Sequence, residues 1–148
     1  MSSILRLIRA LAEYEREPDA AVATEEDLLR DGFGDAPLFK VLLAEIDGVV
    51  VGFALYFFVW STWRGRKCLH LEDLFVEPDH RGKGAGLALM RALAKEAVDN
   101  GCARFVWQVL GWNKPAIDFY ERLGARVLDD WWAVRLEGDA LAALARQC

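Results

Sequence analysis

The run Arg81-Gly82-Lys83-Gly84-Ala85-Gly86 lies between a stretch that reads as a strand, Lys67–Val76, and a helical pattern from Leu87 to Val98. Three alternating glycines at a strand-to-helix junction constrain the fold more than any other feature of the chain. Glycine accepts positive φ, so consecutive N–H groups can turn toward one point that a ligand can approach closely. The helix start adds partial positive charge, and Arg81 and Lys83 add full charges, which together suit a phosphate. A Walker loop requires Ser or Thr after Gly-Lys, whereas Lys83 precedes Gly84-Ala85. A dinucleotide fingerprint requires its third glycine one place later, and an acid further on that Cys102–Leu110 lacks. A glycine-rich turn without a ligand is the remaining alternative at this point.

The rest of the chain reads as alternating elements. Residues 4–16 carry Ile4, Leu7, Ile8 and Leu11 at helical spacing, ended by Pro18. Thr24 and Asp27 form a capping-box-like start for a helix to about Asp31. Phe39–Ile46 and Val49–Trp60 read as strands joined by Asp47-Gly48, the pair favoured in a type I′ hairpin. Lys67–Val76 is a third strand and Ala103–Val109 a fourth. Asn113 caps a helix with Pro115 in its first turn, ending at Gly124. Two short strands are expected at Ala125–Leu128 and Trp131–Leu136, then a helix from Asp139. This order implies an α/β (α+β) fold, a mixed sheet with helices on both faces. At 148 residues and 54% apolar, one domain spanning 1–148 is expected.

Composition removes several function classes. The longest apolar run, Val49–Trp60, is too short for a membrane span, and the N-terminus has no signal-peptide pattern. Cys68, Cys102 and Cys148, with only His70 and His80 as partners, suit neither a disulfide framework nor a metal cluster. A cytoplasmic protein with no metal and no membrane partner is expected. Between Glu13 and Asp35 nine acids face two bases, and between Arg81 and Arg126 eight bases face four acids. One region suits a cation and the other an anion, unless both are solvated helix faces. The basic stretch lacks interleaved aromatics and the chain is acidic overall, which argues against nucleic acid.

Two motifs carry a family resemblance. Arg81 to Gly86 matches the Arg/Gln-x-x-Gly-x-Gly/Ala loop of the GNAT acetyltransferases, and Asn113-Lys114-Pro115-Ala116-Ile117-Asp118-Phe119-Tyr120-Glu121-Arg122-Leu123-Gly124 resembles their Asn-x-x-Ala-x-x-Phe-Tyr-x-x-x-Gly signature. The segments Ile4–Glu15, Asp31-Gly32-Phe33-Gly34, Leu71–Val76 and Trp112-Asn113 resemble the diamine acetyltransferase branch, which includes spermidine/spermine and thialysine enzymes. The resemblance implies the GNAT fold, mostly antiparallel, though the family's usual first strand has no counterpart before Ile4. It also implies acetyl-CoA as co-substrate, a small-molecule amine as acceptor, and a homodimer.

Residue roles follow from the resemblance. Gly82, Lys83, Gly84, Ala85, Gly86 and Leu87, with Arg81, would hold the pyrophosphate. Leu74, Phe75 and Val76 would lend backbone groups to the pantetheine arm, and Asn113, Lys114, Pro115 and Ala116 would contact the cofactor further along. Tyr120 would donate toward the departing thiolate. Because a phenol near pKa 10 faces a thiol near 8.5, full transfer is uphill by ~2 kcal/mol, so a strong hydrogen bond is expected. Glu72 would act as general base through a water and Asp73 would contact the ammonium. Neighbours on a strand point to opposite faces, so these two carboxylates share a face only if a bulge intervenes. His70 and His80 are expected to be structural or surface residues. Tyr14, Glu15, Trp63, Val106, Trp107 and Gln108 would border the acceptor, and Asp129 or Asp130 could supply another acid.

Ser61-Thr62-Trp63-Arg64-Gly65-Arg66 resembles the thialysine type, whereas polyamine enzymes carry an acid in place of Ser61. A shorter amine, such as thialysine or a small diamine, is therefore expected over spermine. Phe33, Trp63 and Trp107 would narrow the channel against a peptide acceptor. A non-catalytic acyl-CoA sensor would keep the loop and dispense with Tyr120 and Glu72. Trp131 and Trp132 suit either a dimer surface or core packing.

Overall fold

The structure, a computed structural model, describes residues 1–147; Cys148 lies outside the described residues. Two compact units divide the chain after Gln108.

In the first unit, helix α1 (Ser2–Tyr14) and helix α2 (Glu25–Gly32) precede strands β1 (Lys40–Ile46), β2 (Val49–Ser61) and β3 (Arg66–Val76). Helix α3 (Ala85–Asp99) and strand β4 (Phe105–Trp107) follow. The sheet order is β1-β2-β3-β4, with the first two pairings antiparallel and β3–β4 parallel. Asp47 and Gly48 both adopt positive φ, 52° and 78°, as the expected hairpin requires. The helix at Thr24 forms with its capping box complete: the hydroxyl accepts from Asp27 N–H while the Asp27 carboxylate accepts from Thr24 N–H.

Helices cover both faces of this sheet. Leu7 and Leu11 of α1 pack with Phe53, Leu55 and Phe75. Removing such side chains from water contributes roughly 1.5–3 kcal/mol each and sets the register of α1 on the sheet. Arg6 pairs with Glu77 and donates from Nη2 to the carbonyl of Val50 at 2.9 Å, tying the same helix to the strand ends. On the opposite face α3 buries Leu89, Met90, Leu93 and Ala97. Its Glu96 meets Lys40 of β1 at 3.4 Å and the Tyr56 hydroxyl of β2.

The second unit holds helix α4 (Lys114–Arg122) and helix α5 (Gly138–Ala145). The strands expected at Ala125–Leu128 and Trp131–Leu136 are absent; both segments are irregular. Their apolar residues follow a strand-like pattern, but a strand persists only where a neighbour completes its hydrogen-bond ladder. None of the described residues pairs with either segment.

Candidate active site

The acids of β3 depend on a defect in the ladder. Leu55 of β2 lies opposite Asp73 and Tyr56 opposite Leu71, so Glu72 is an extra residue with no partner on β2. This is a β-bulge, and it cancels the alternation that would separate neighbouring side chains. Asp73 shares its face with Leu55 and Phe75, which pack on α1. Before the bulge, His70 lies opposite Phe57 and stacks on it, with ring centroids 4.8 Å apart at 28°. Leu55 and Phe57 are two residues apart on β2 and share a face. His70 and Glu72 therefore also face α1, and His70 Nε2 lies 3.2 Å from Glu72 Oε2. The bulge thus supplies the condition under which both carboxylates share one side.

Electrostatics records the same convergence. The Asp73 carboxyl is pushed up to about 6, first by burial and then by repulsion from Glu72 and Glu15. Glu15, immediately after α1, is raised as well, by burial. Three carboxylates on one partly dry face attract a cation and prefer a protonated amine to a neutral one. Of the acid-rich early stretch, this face uses Glu15. Glu25, Glu26 and Asp27 instead occupy the first turn of α2, where negative charge meets the helix dipole.

The glycine turn has the geometry of an anion site. Gly82 and Gly84 have φ of 77° and 85°, and a Cβ on either would meet nothing within 4 Å. Backbone conformation, rather than room, requires glycine there. No side chain caps α3 and no acid lies in its first turn, so the leading N–H groups face outward without a protein acceptor. Lys83 is exposed beside them. Arg81 also has contacts within the protein. Its Nε donates to the Val76 carbonyl at 2.9 Å, and its guanidinium lies 4.5 Å from the Tyr14 ring centroid and 5.5 Å from that of Phe75. Arg81 pins the turn to β3 and to the end of α1 that carries Glu15. Between Glu72 and Val76 the edge of β3 away from β2 has no strand partner among the described residues, because β4 pairs with Leu69 to Leu71 alone. Leu74, Phe75 and Val76 lie on that open edge.

The remaining acceptor candidates of this unit separate. Val106 pairs with His70 and shares its face. Trp107 alternates to the other face, where its ring lies 4.7 Å from that of Phe105; Gln108 follows the strand. Trp63 sits in the β2–β3 turn, 79% exposed. Ser61 lies six strand steps beyond Leu55, so this turn is about 20 Å from the carboxylates. Ser61 shapes the turn itself, with its hydroxyl accepting from Arg64 N–H at 3.2 Å.

In the second unit, Asn113 Oδ1 accepts from Ala116 N–H and caps α4, with Pro115 in the first turn as expected. Lys114 pairs with Asp118 at 2.9 Å along that helix. Tyr120 lies in its last turn, its ring 5.5 Å from Phe119, and its carbonyl accepts from the N–H groups of Leu123 and Ala125. Gly124, at φ 93°, closes the helix. Asp129 and Asp130 lie in the irregular segment that follows.

Residues 4–125 match the acetyltransferase (GNAT) family model. The chain belongs to the GNAT family. Among its relatives, thialysine N-epsilon-acetyltransferase of Sus scrofa is 45% identical, covering 97% of this chain and 90% of the pig protein. Spermidine/spermine N(1)-acetyltransferase-like protein 1 of Homo sapiens is 38% identical over 96% of this chain and 22% of its own length. A solved integron cassette protein from the mobile metagenome of V. cholerae superposes with a TM-score of 0.82 at 32% identity, covering 98% and 91% of the two chains. This GNAT protein is therefore an N-acetyltransferase acting on amines, in a family whose co-substrate is acetyl-CoA. The glycine turn fits that co-substrate: it offers uncapped amides, an exposed lysine and no opposing acid. No helix among the described residues is long and apolar enough to cross a membrane.

Two contacts went unread in the sequence. His70, expected to be structural or surface, is the hydrogen-bonded neighbour of Glu72, and its position two residues earlier on a strand already signalled a shared face. The stacking of Arg81 on Tyr14 had no such local signal.

Proposed function

We propose that the protein transfers the acetyl group of acetyl-CoA to the side-chain amine of thialysine or to a similarly short diamine. The observation that carries this reading is the bulge at Glu72, which puts Glu72 and Asp73 on one face, where Glu15 from the end of α1 adds its charge to that of Asp73. The thialysine enzyme at 45% identity supports the acceptor class, and Ser61 in place of an acid supports a short amine over a long polyamine.

In this reading Asp73 and Glu15 hold the incoming ammonium. A lysine-like amine near pKa 10.4 is unprotonated in roughly one molecule in a few thousand at pH 7, so a base must act. Glu72 takes that proton through a water. The thioester supplies an activated acyl carbon: the amine nitrogen bonds to it, the C–S bond breaks, and the sulfur leaves as thiolate. Tyr120 hydrogen-bonds that sulfur as it gains charge, and the proton that the nitrogen sheds on becoming an amide balances the departing thiolate. Residues Gly82 to Leu87 hold the diphosphate, Leu74 to Val76 the pantetheine amides, and Asn113 to Ala116 a further part of the cofactor. Val106 lines the acceptor, and a homodimer in the cytoplasm is the setting we propose.

A panel of amines with acetyl-CoA, followed by free-thiol release, tests the reading. We expect kcat/KM for thialysine and a short diamine to exceed that for spermine by roughly fivefold or more, the worth of one partly solvated charge contact. A preference for spermine overturns the acceptor assignment, and cofactor binding with no thiol release from any amine makes the protein a sensor.

Arg81 gives a second check. Arg81→Lys keeps the charge and loses both the flat stacking surface and the Nε donor. Calorimetry is expected to show coenzyme A binding weakened by roughly tenfold, since about 1 kcal/mol is at stake in each contact. Unchanged affinity would mean that Arg81 acts by charge alone.

A further inference from the structure

We propose that His70 is a positioning residue for Glu72, and this rests on the reading of Glu72 as the base. The bulge leaves Glu72 without a partner residue on β2 and its side chain 54% exposed, beside two other carboxylates. A long side chain repelled by Asp73 would swing into water unless something on its own side held it. His70 is placed to do so. Its Nε2 lies 3.2 Å from Glu72 Oε2, and an ionised carboxylate only accepts, so the hydrogen sits on Nε2 and His70 donates. The imidazole is fixed in turn: it stacks on Phe57 at 4.8 Å, and its strand position lies between Phe57 of β2 and Val106 of β4. One Glu72 oxygen is thereby engaged, and the other stays available to a water. Phe57, His70 and Glu72 form a short relay of position, in which a ring fixes a ring and that ring fixes a carboxylate.

The test separates a donor from a mere ring. His70→Phe keeps an aromatic surface against Phe57 and removes the Nε2–H. We expect kcat to fall about tenfold, the scale of a displaced general base, with KM for acetyl-CoA within about twofold of the starting protein. His70→Gln places an amide nitrogen where Nε2 stood and is expected to restore kcat to within about threefold. In a Glu72→Gln background, His70→Phe should cost nothing further, because the two residues act as one unit. If His70→Gln is as impaired as His70→Phe, or if His70→Phe costs the same tenfold without the Glu72 carboxylate, His70 only packs and the proposal is overturned. Glu72→Gln alone tests the underlying reading: an undiminished kcat there removes Glu72 as base and His70's role with it. Loss in Glu72→Gln with additive His70 effects removes His70 alone.

Discussion

Tyr120→Phe is expected to lower kcat by about a hundredfold, the lower range for a positioned acid, while leaving the Kd for acetyl-CoA within about twofold. The substitution removes one hydroxyl and keeps the ring that meets Phe119 at 5.5 Å. Helix α4 has supports besides that hydroxyl. Asn113 Oδ1 caps the first turn, Lys114 and Asp118 pair along the helix, and the Leu123 and Ala125 N–H groups bond to the Tyr120 carbonyl. The fold is therefore expected to survive and the loss to be chemical. The rate falls because the coenzyme A thiolate must depart without a donor, so the effect should shrink for an acyl thioester whose thiol is more acidic. Stopped-flow thiol release and calorimetric titration read the two quantities separately. An acyl-CoA sensor would show no change in either. A large loss of affinity with kcat intact would instead make Tyr120 a binding residue.

Local chemistry made much of this protein legible. Asp47-Gly48 specified its hairpin because positive φ at both positions is a property of two residues. Thr24 with Asp27, and Asn113 with Pro115, announced helix starts for the same reason. Gly82 and Gly84 marked the turn before α3 because φ near 80° excludes most other residues. What escaped was settled between distant segments. The bulge at Glu72 exists because Leu55 chooses Asp73 while Tyr56 chooses Leu71, a matching that neither strand encodes alone. Arg81 finds Tyr14, from the first helix, only after α1 has packed on the sheet. The segments Ala125–Leu128 and Trp131–Leu136 show the converse, since apolar residues at strand spacing make no strand without a partner edge. The acid-rich stretch was legible as charge but not as purpose: a capping box and an Arg30 pairing with Asp27 and Asp31 use several of its members, and Glu15 alone joins the Asp73 cluster.

Asp73→Asn should make the protein more stable and less active at the same pH. The carboxyl is raised to about 6 from 3.8 by burial, by Glu72 and by Glu15, so the fold favours its neutral form. Between those two values the folded chain binds more protons than the unfolded one. The stabilisation that protonated Asp73 provides is complete below about pH 4 and disappears as pH rises through 6. At pH 8 the ionised group costs the fold up to about 3 kcal/mol, from a shift of roughly two units. Asparagine, neutral and of the same shape, should recover about 1–2 kcal/mol of that at pH 8 and almost nothing at pH 3.5. Denaturant melts at the two pH values measure the difference, and an equal effect at both would show that the carboxyl is not strained by its neighbours. The same change removes a negative charge from the proposed ammonium site, so KM for the amine should rise by more than tenfold at pH 8. In the unmodified enzyme that KM should climb below pH 6, where Asp73 takes up its proton. In Asp73→Asn this part of the profile should flatten. A site proposed to bind a cation with crowded carboxylates would spend stability on function, and Asp73 is where both effects of that conflict can be read from one side chain.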